Sequence, residues 1–285
     1  MLFRSRDLWA LRKDYAEDTL LGRRRTTIAE AAPTREFSMD AMIEKEPVTV
    51  ILSARGWIRA AKGHVPLGQS DMGADFKFKE GDGPAFALHA QTTDKLLIAA
   101  DNGRFYTLGA DKLPGARGFG EPLRTMLDID SEAQVVALLV HRPKGQLLLA
   151  SNVGRGFAAE SDELLAETRK GRGVMGTKPG AKLAVVREIP PEHDHVAVVG
   201  DNRKLVLFSL EELPVMARGQ GVTLQRYKDG GMADVTTLRL EDGLSWKMGG
   251  ESGRVRTESD MRLWKVARGA AGRLPPQGFP RDGRS

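Results

Sequence analysis

The sequence predicts an all-β, propeller-like fold of about five blades preceded by an N-terminal helix. Three observations lead there. A ten-residue stretch recurs, most clearly as Leu96–Phe105 and Leu147–Gly156, with related copies at Thr49–Ile58, Val196–Leu205 and Trp246–Val255. In the two clearest copies an apolar run reaches a small polar turn ending in Gly, a basic residue follows and a second run begins, which is the pattern of a β-hairpin. The turn residues Gly56, Gly103, Gly154, Arg203 and Gly253 stand 47, 51, 49 and 50 residues apart, a steady pitch. A second, glycine-rich punctuation follows each of the last four hairpins, at Leu113–Gly120, Arg169–Gly173, Leu213–Gly221 and Leu263–Gly269.

The elements follow in order. Leu8, Leu11 and Tyr15 fall at i, i+3, i+7 while Arg12, Lys13, Asp14, Glu17 and Asp18 take the other face, so a helix is expected from Leu2 to about Leu21. Gly22 and the basic run after it end the helix, and a polar connector leads to a domain boundary near Lys45. Strands are expected at Val48–Ser53, Trp57–Ala60, Phe86–Ala90, Leu96–Ala100, Arg104–Leu108, Val135–Val140 and Leu147–Ser151, then at Leu183–Arg187, Val196–Gly200, Leu205–Phe208, Val235–Arg239 and Arg254–Thr257. They are enriched in β-branched and aromatic residues and are separated by Asn, Asp and Gly turns. Short helical turns are expected at Ala110–Leu113, Ser161–Arg169 and Ser209–Leu213. The organisation is therefore helix and connector over 1–45, blades over 46–272 and a disordered basic tail over 273–285.

Composition narrows the function. The 285 residues carry 43 Lys and Arg against 38 Asp and Glu, and no Cys, which excludes disulfides and thiolate metal sites and suits a reducing, cytoplasmic setting. No apolar run has the length of a membrane helix, and no membrane partner is expected. A modest positive charge means little by itself, but basic residues at fixed places in a repeat would line one rim. The Arg/Lys-Gly loops have that character, because Gly allows close backbone approach to a phosphate and the neighbouring cation supplies charge. The competing reading is an ordinary connecting turn between blades.

Other motifs read as structural. Gly171–Gly176 has dinucleotide-type glycine spacing without the strand before it or the helix after it. Glu192-His-Asp-His195 follows Pro190-Pro191 and reads as an exposed turn rather than a metal site. Trp57, Trp246, Trp264, Phe105 and Phe157 sit beside repeat turns, where core between blades is expected in preference to base stacking. No nucleophile elbow, P-loop or metalloprotease helix is present, so no catalytic residue, metal or cofactor is expected.

Two blocks, Glu46–His64 (EPVTVILSARGWIRAAKGH) and Leu113–Leu123 (LPGARGFGEPL), resemble the C-terminal domain of the bacterial DNA topoisomerase IV A subunit, ParC, and its relative, the C-terminal domain of the gyrase A subunit. Arg23–Thr26 and the acidic stretch at Glu30 are similar to the segment that joins this family's DNA-gate region to that domain. The resemblance covers roughly residues 8 to 272 and implies a β-pinwheel, a disc whose blades exchange strands and whose basic rim binds and bends duplex DNA without sequence specificity. It also implies a partner, the topoisomerase IV catalytic core with its gate domain and ATPase subunit, together with a cytoplasmic, nucleoid-associated setting.

Two departures qualify the resemblance. The gyrase-type basic box survives only in degenerate form at Ala116–Gly120 and Ala217–Gly221, which argues against active wrapping. None of Tyr15, Tyr106 and Tyr227 matches the family's DNA-cleaving Tyr, so the expectation is a separated C-terminal piece that does not cleave DNA unaided. The residues expected to touch DNA phosphates are Arg59, Lys62, Arg104, Arg117, Arg155, Lys170, Arg172, Arg203, Arg218, Arg254 and Arg268. The rival expectation is a propeller-like scaffold for protein partners with no nucleic-acid role, betrayed by an apolar patch on one face.

Overall fold

The structure, a computed structural model, describes residues 5–23, 43–67, 76–176, 178–248 and 254–280. The chain divides into two units, Met1–Met42 and Ile43–Ser285. In the first, helix α1 spans Ser5–Asp14, with Asp7 in its first turn and Arg12 and Lys13 in its last, a distribution that complements the helix dipole. The Arg12 guanidinium lies 6.0 Å from the centre of the Trp9 ring one turn earlier. The helix stops short of the expected Leu21 because the Thr19 hydroxyl donates to the Asp14 and Ala16 carbonyls, each at 2.8 Å, and draws the chain into turns. The polar connector expected to follow falls mostly outside the described residues.

The second unit is a succession of antiparallel sheets, one per repeat. In the first, β1 (Pro47–Ser53) and β2 (Trp57–Lys62) form a hairpin flanked by β3 (Pro84–Gln91). The next hairpin, β4 (Lys95–Ala100) and β5 (Arg104–Gly109), is followed by β6 (Glu121–Pro122), the short helix α2 (Leu123–Met126) and β7 (Val135–Val140). Then come β8 (Gln146–Ser151) and β9 (Arg155–Glu160), followed by β10 (Arg172–Gly173) and β11 (Leu183–Ile189). The fourth hairpin, β12 (His195–Gly200) and β13 (Leu205–Ser209), precedes β14 (Val222–Thr223) and β15 (Met232–Leu238). The last is β16 (Leu244–Lys247) with β17 (Val255–Glu258). Among the described residues the sheet orders are β3-β1-β2-β6, β7-β4-β5-β10, β11-β8-β9-β14, β15-β12-β13 and β16-β17.

The fourth strand of a sheet does not come from its own repeat. β6 follows the second hairpin yet pairs with β2 of the first, β10 follows the third yet pairs with β5, and β14 follows the fourth yet pairs with β9. Arg273, after the fifth hairpin, bridges back to Leu205 in the same way. Each repeat thus completes the sheet before it, a strand exchange that covers edges otherwise left with unpaired backbone groups.

The core lies between successive sheets. Strand β4 is buried on both faces because its side chains alternate. Leu96, Ile98 and Ala100 pack with Val50, Leu52 and Ile58 of the first sheet, whereas Leu97 and Ala99 pack with Leu147, Leu149 and Phe157 of the third. A third cluster joins Leu148 and Ala150 to Val196 and Val198, and a fourth joins Ala197 and Val199 to Leu244 and Trp246. Each fully buried aliphatic or aromatic side chain of this kind contributes about 1.5–3 kcal/mol. Among the described residues no hydrophobic cluster joins the fifth sheet to the first.

Three expectations need correction. The two-residue exchange strands are not among the expected strands, because two residues show no periodicity at all, and β9 and β16 complete the hairpins expected at Leu147–Gly156 and Trp246–Val255 outside the strand ranges expected there. The helical turns fall at the three expected places but are shorter, Ala110–Lys112, Ser161–Leu164 and Leu210–Glu212. Residues 273–280 are not a disordered tail. Phe279 is buried with its ring centre 5.3 Å from that of Trp246, and the Trp246 Nε1 donates to the Gly278 carbonyl at 2.9 Å; residues 281–285 lie outside the described residues.

Candidate nucleic-acid interface

Strands β3, β7, β11 and β15 pack against one another in sequence order, so these edges of the sheets converge at the hub of the disc. The exchange strands β6, β10 and β14 occupy the opposite edge, and the glycine-rich segments that lead into them therefore lie on the perimeter.

The glycines of those segments have a packing cause. Gly120, Gly171, Gly221 and Gly272 immediately precede the four exchanged positions, recur at intervals of 51, 50 and 51 residues and all have positive φ, at 86, 68, 70 and 81°. A Cβ on them would stand 2.2, 2.6, 2.4 and 2.6 Å from the carbonyl oxygens of Ile58, Phe105, Gly156 and Leu205. The chain passes so closely over the preceding blade's strand that only Gly fits. Gly171 is therefore the structural equivalent of Gly120, Gly221 and Gly272, and not of Gly118, Gly219 and Gly269, the other glycines of those segments. The glycines serve strand exchange, and any anion binding rests on the cations beside them.

The eleven basic residues expected to touch phosphate separate into three groups. Four are turned inward onto backbone carbonyls. Arg59 is buried at 4% exposure, with its guanidinium donating to the carbonyls of Gly118 and Lys77, and burial lowers its pKa from the ordinary arginine value. Its expected contact with DNA is withdrawn, because the group is inside the domain. Arg104 donates to the carbonyls of Lys170, at 2.7 Å, and Gly171, at 3.1 Å, and Arg155 donates to that of Gly221 at 2.6 Å, so each clamps the exchange segment crossing its own sheet. Arg268 donates to the Thr223 carbonyl at 2.8 Å and is half-buried.

Among the described residues, Arg172 is the member of the eleven whose side chain pairs with a carboxylate, that of Glu163, at 3.0 Å across an exposed pair. The other six, Lys62, Arg117, Lys170, Arg203, Arg218 and Arg254, are exposed and have no side-chain hydrogen bond or ion pair among the described residues. Arg117, Lys170 and Arg218 lie on the perimeter segments of three successive blades. Arg203 occupies a hairpin turn at φ 56°, the place that Gly holds in the first three copies. Arg254 begins the segment into β17, and Lys62 ends β2 at the far end from its turn.

The remaining motifs show two departures from expectation, at His195 and at Trp57, which is half-buried rather than core. Phe105, Phe157, Trp246 and Trp264 are buried between blades. His195 is a buried residue of β12 rather than part of an exposed turn, and its Nδ1 lies 2.8 Å from Asp194, whereas the His193 Nδ1 meets the Thr237 hydroxyl. The two imidazoles have separate partners, and no set of three metal-ligating side chains occurs among the described residues. Gly171–Gly176 is split between β10 and an isolated bridge at Met175, with no helix behind it.

Sequence reasoning missed Lys79 and Phe119. The Lys79 ammonium lies 3.3 Å from the centre of the Trp57 ring, and Phe119 is 45% exposed on the first perimeter segment. No sequence signal links them, since Lys79 lies in the segment between β2 and β3 and meets Trp57 only in the folded blade.

Known proteins share this architecture. The family model described as the DNA gyrase C-terminal domain, beta-propeller, matches residues 94–142 and 194–239. The chain is 38% identical over 280 residues to the DNA topoisomerase 4 A subunit of Rickettsia bellii and 42% identical over 250 residues to that of Caulobacter vibrioides, covering 98% and 87% of this chain. It spans about a third of those relatives, 36% and 32% of their lengths. The solved structure of the E. coli ParC C-terminal domain superposes with a TM-score of 0.70 at 27% identity, covering 83% of this chain and 96% of that one. The gyrase A C-terminal domain, at 17% identity and a TM-score of 0.57, shares the fold. β-blades with exchanged edge strands, together with these matches, place the chain in the family of C-terminal domains of topoisomerase IV and gyrase A subunits.

Proposed function

We propose that this domain binds duplex DNA without sequence specificity along its perimeter, bends it, and presents the bent segment to the strand-passage core of a topoisomerase IV. The observation that carries the reading is the recurrence of exposed cations, without side-chain partners among the described residues, at Arg117, Lys170 and Arg218 on the exchange segments of adjacent blades. Cations spaced around an edge suit a polyanion that curves with the edge, and contacts to phosphate carry no sequence information. Arg203 and Arg254 in hairpin turns extend the positive surface.

The partners in this reading are DNA and the core formed by a gate domain and an ATPase subunit. The domain contributes DNA geometry to that core, and the chemistry of cleavage belongs to the core. A nucleoid setting in the cytoplasm follows from that partnership.

A titration of the intact chain with duplex DNA at 50 and 200 mM salt tests it. Three phosphate contacts give a log–log slope of about −2.7, which is a roughly 40-fold loss of affinity over that interval. A flat response, or no affinity at the lower salt, removes the proposal and leaves a propeller-like scaffold for protein partners.

A further inference from the structure

The first perimeter segment differs from the others in one side chain. The residue immediately before the close-packed glycine is Phe119 on the first blade, Lys170 on the second, Gln220 on the third and Ala271 on the fourth. Phe119 is the aromatic of the set, and at 45% exposure it is a large apolar ring turned to water.

Its surroundings are cationic and braced. Arg117, two residues earlier, is exposed and free of partners among the described residues. The Lys79 ammonium sits 3.3 Å from the Trp57 ring centre and 6.0 Å from that of Phe119, so one cation stands between two rings. Buried Arg59 ties this surface together, because its guanidinium holds the Gly118 carbonyl on one side and the Lys77 carbonyl on the other. Its charge is 5.3 Å from the centre of the Phe78 ring and 5.8 Å from that of Phe76. The ring of Phe119 is therefore presented by two segments, 76–79 and 117–120, locked to one interior group.

We infer that Phe119 is an aromatic wedge for nucleobases: it enters a base step of the bound duplex at the first blade, flanked by phosphate contacts from Arg117 and Lys79, and localises the bend there. The chemistry is that of apolar side chains which partly unstack a base step and kink the helix, with neighbouring cations holding the backbone on either side. A ring carried on a segment braced at the Gly118 carbonyl is pre-positioned by its backbone, which lowers the ordering cost of insertion. This inference rests on the DNA-binding reading and adds to it a position and a base contact. The other three segments offer a lysine, a glutamine and an alanine at the same place, none of them an aromatic ring, and make backbone contacts.

Phe119→Ala and Phe119→Trp in the intact chain, with an end-labelled duplex, test it by fluorescence energy transfer for bending and by titration for affinity. Phe119→Ala is expected to bind roughly 5- to 100-fold more weakly at fixed salt, the range of a lost base stack. It should keep the same salt slope, because the phosphate contacts remain, and it should lose the bend. Phe119→Trp is expected to restore both. A Phe119→Ala protein that binds and bends duplex like the parent overturns the inference while leaving perimeter binding intact, as does one whose salt slope alone changes. Absence of duplex affinity in the parent chain overturns this inference and the perimeter reading together. Thermal unfolding of both variants separates a folding defect from a contact, since a lowered midpoint with a retained bend marks Phe119 as packing only.

Discussion

Simultaneous replacement of Arg117, Lys170 and Arg218 by Ala removes the three perimeter cations from three successive blades and touches nothing else. All are exposed, and none has a side-chain partner among the described residues, so folding should be unaffected. A unit charge 4 Å from a phosphate in a water-like dielectric is worth about 1 kcal/mol, so three such pairs amount to about 3 kcal/mol at low salt. That corresponds to a roughly 150-fold weaker dissociation constant, less as salt screens the pairs. The log–log slope should also flatten by about 2.7, because each phosphate no longer neutralised takes about 0.9 from it. Fluorescence anisotropy with a labelled duplex over a series of salt concentrations reads both numbers, and thermal unfolding checks the fold. An unchanged affinity and slope in a protein with the parent's melting temperature would refute the reasoning, because these cations would then be solvated surface.

The remaining expectations concern the architecture. Arg59→Ala should lower stability by about 2–4 kcal/mol in chemical denaturation, because it removes a buried side chain that donates charge-assisted hydrogen bonds to two carbonyls in separate segments, while Lys62→Ala on the same strand leaves stability unchanged. Gly171→Ala, where a Cβ would meet the Phe105 carbonyl at 2.6 Å, should cost several times more than Gly180→Ala. Gly180 also has positive φ but nothing within 4 Å, so its penalty is the conformational one of about 1 kcal/mol. Burial raises the Tyr227 pKa, with the Asp201 charge adding to it, so the folded state favours the neutral phenol. That contribution is whole below pH 10, the ordinary tyrosine value, and declines as pH rises from there toward the folded-state pKa. Tyr227→Phe should accordingly flatten the alkaline arm of the stability profile, and an unaltered arm would contradict the assignment.

Much of this fold is legible in the sequence because its information is local. The hairpin at Leu96–Phe105 declares itself through apolar runs on both sides of a glycine turn, and the same turn recurs at a steady pitch. The exchange strands are not local. Two residues such as Arg172-Gly173 have no pattern, and they become a strand only because β5 offers a free edge. The order of residues 273–280 is hidden for a related reason: Pro and Gly near the C-terminus resemble a disordered segment, while the Trp246 ring that holds Phe279 lies far back in the chain.

The candidate site is legible in outline and not in detail. An Arg beside a glycine turn reads the same whether it points to water, as Arg117 does, or back onto its own blade, as Arg104 and Arg155 do. Which way it goes depends on the carbonyls that the exchange segment brings within reach, and the exchange is set by the neighbouring repeat. Arg59 is the extreme case, a basic residue inside a strand whose partners lie in two other segments.

The central claim is that duplex DNA follows the perimeter of the disc, and cross-linking from defined positions tests it most directly. A photoreactive side chain at 117, 170 or 218 is expected to cross-link to bound duplex, whereas one at Asp94, Asp111 or Glu192, in the connections at the other end of the blades from the hairpin turns, is expected not to. Cross-links from the second set and none from the first would contradict the account.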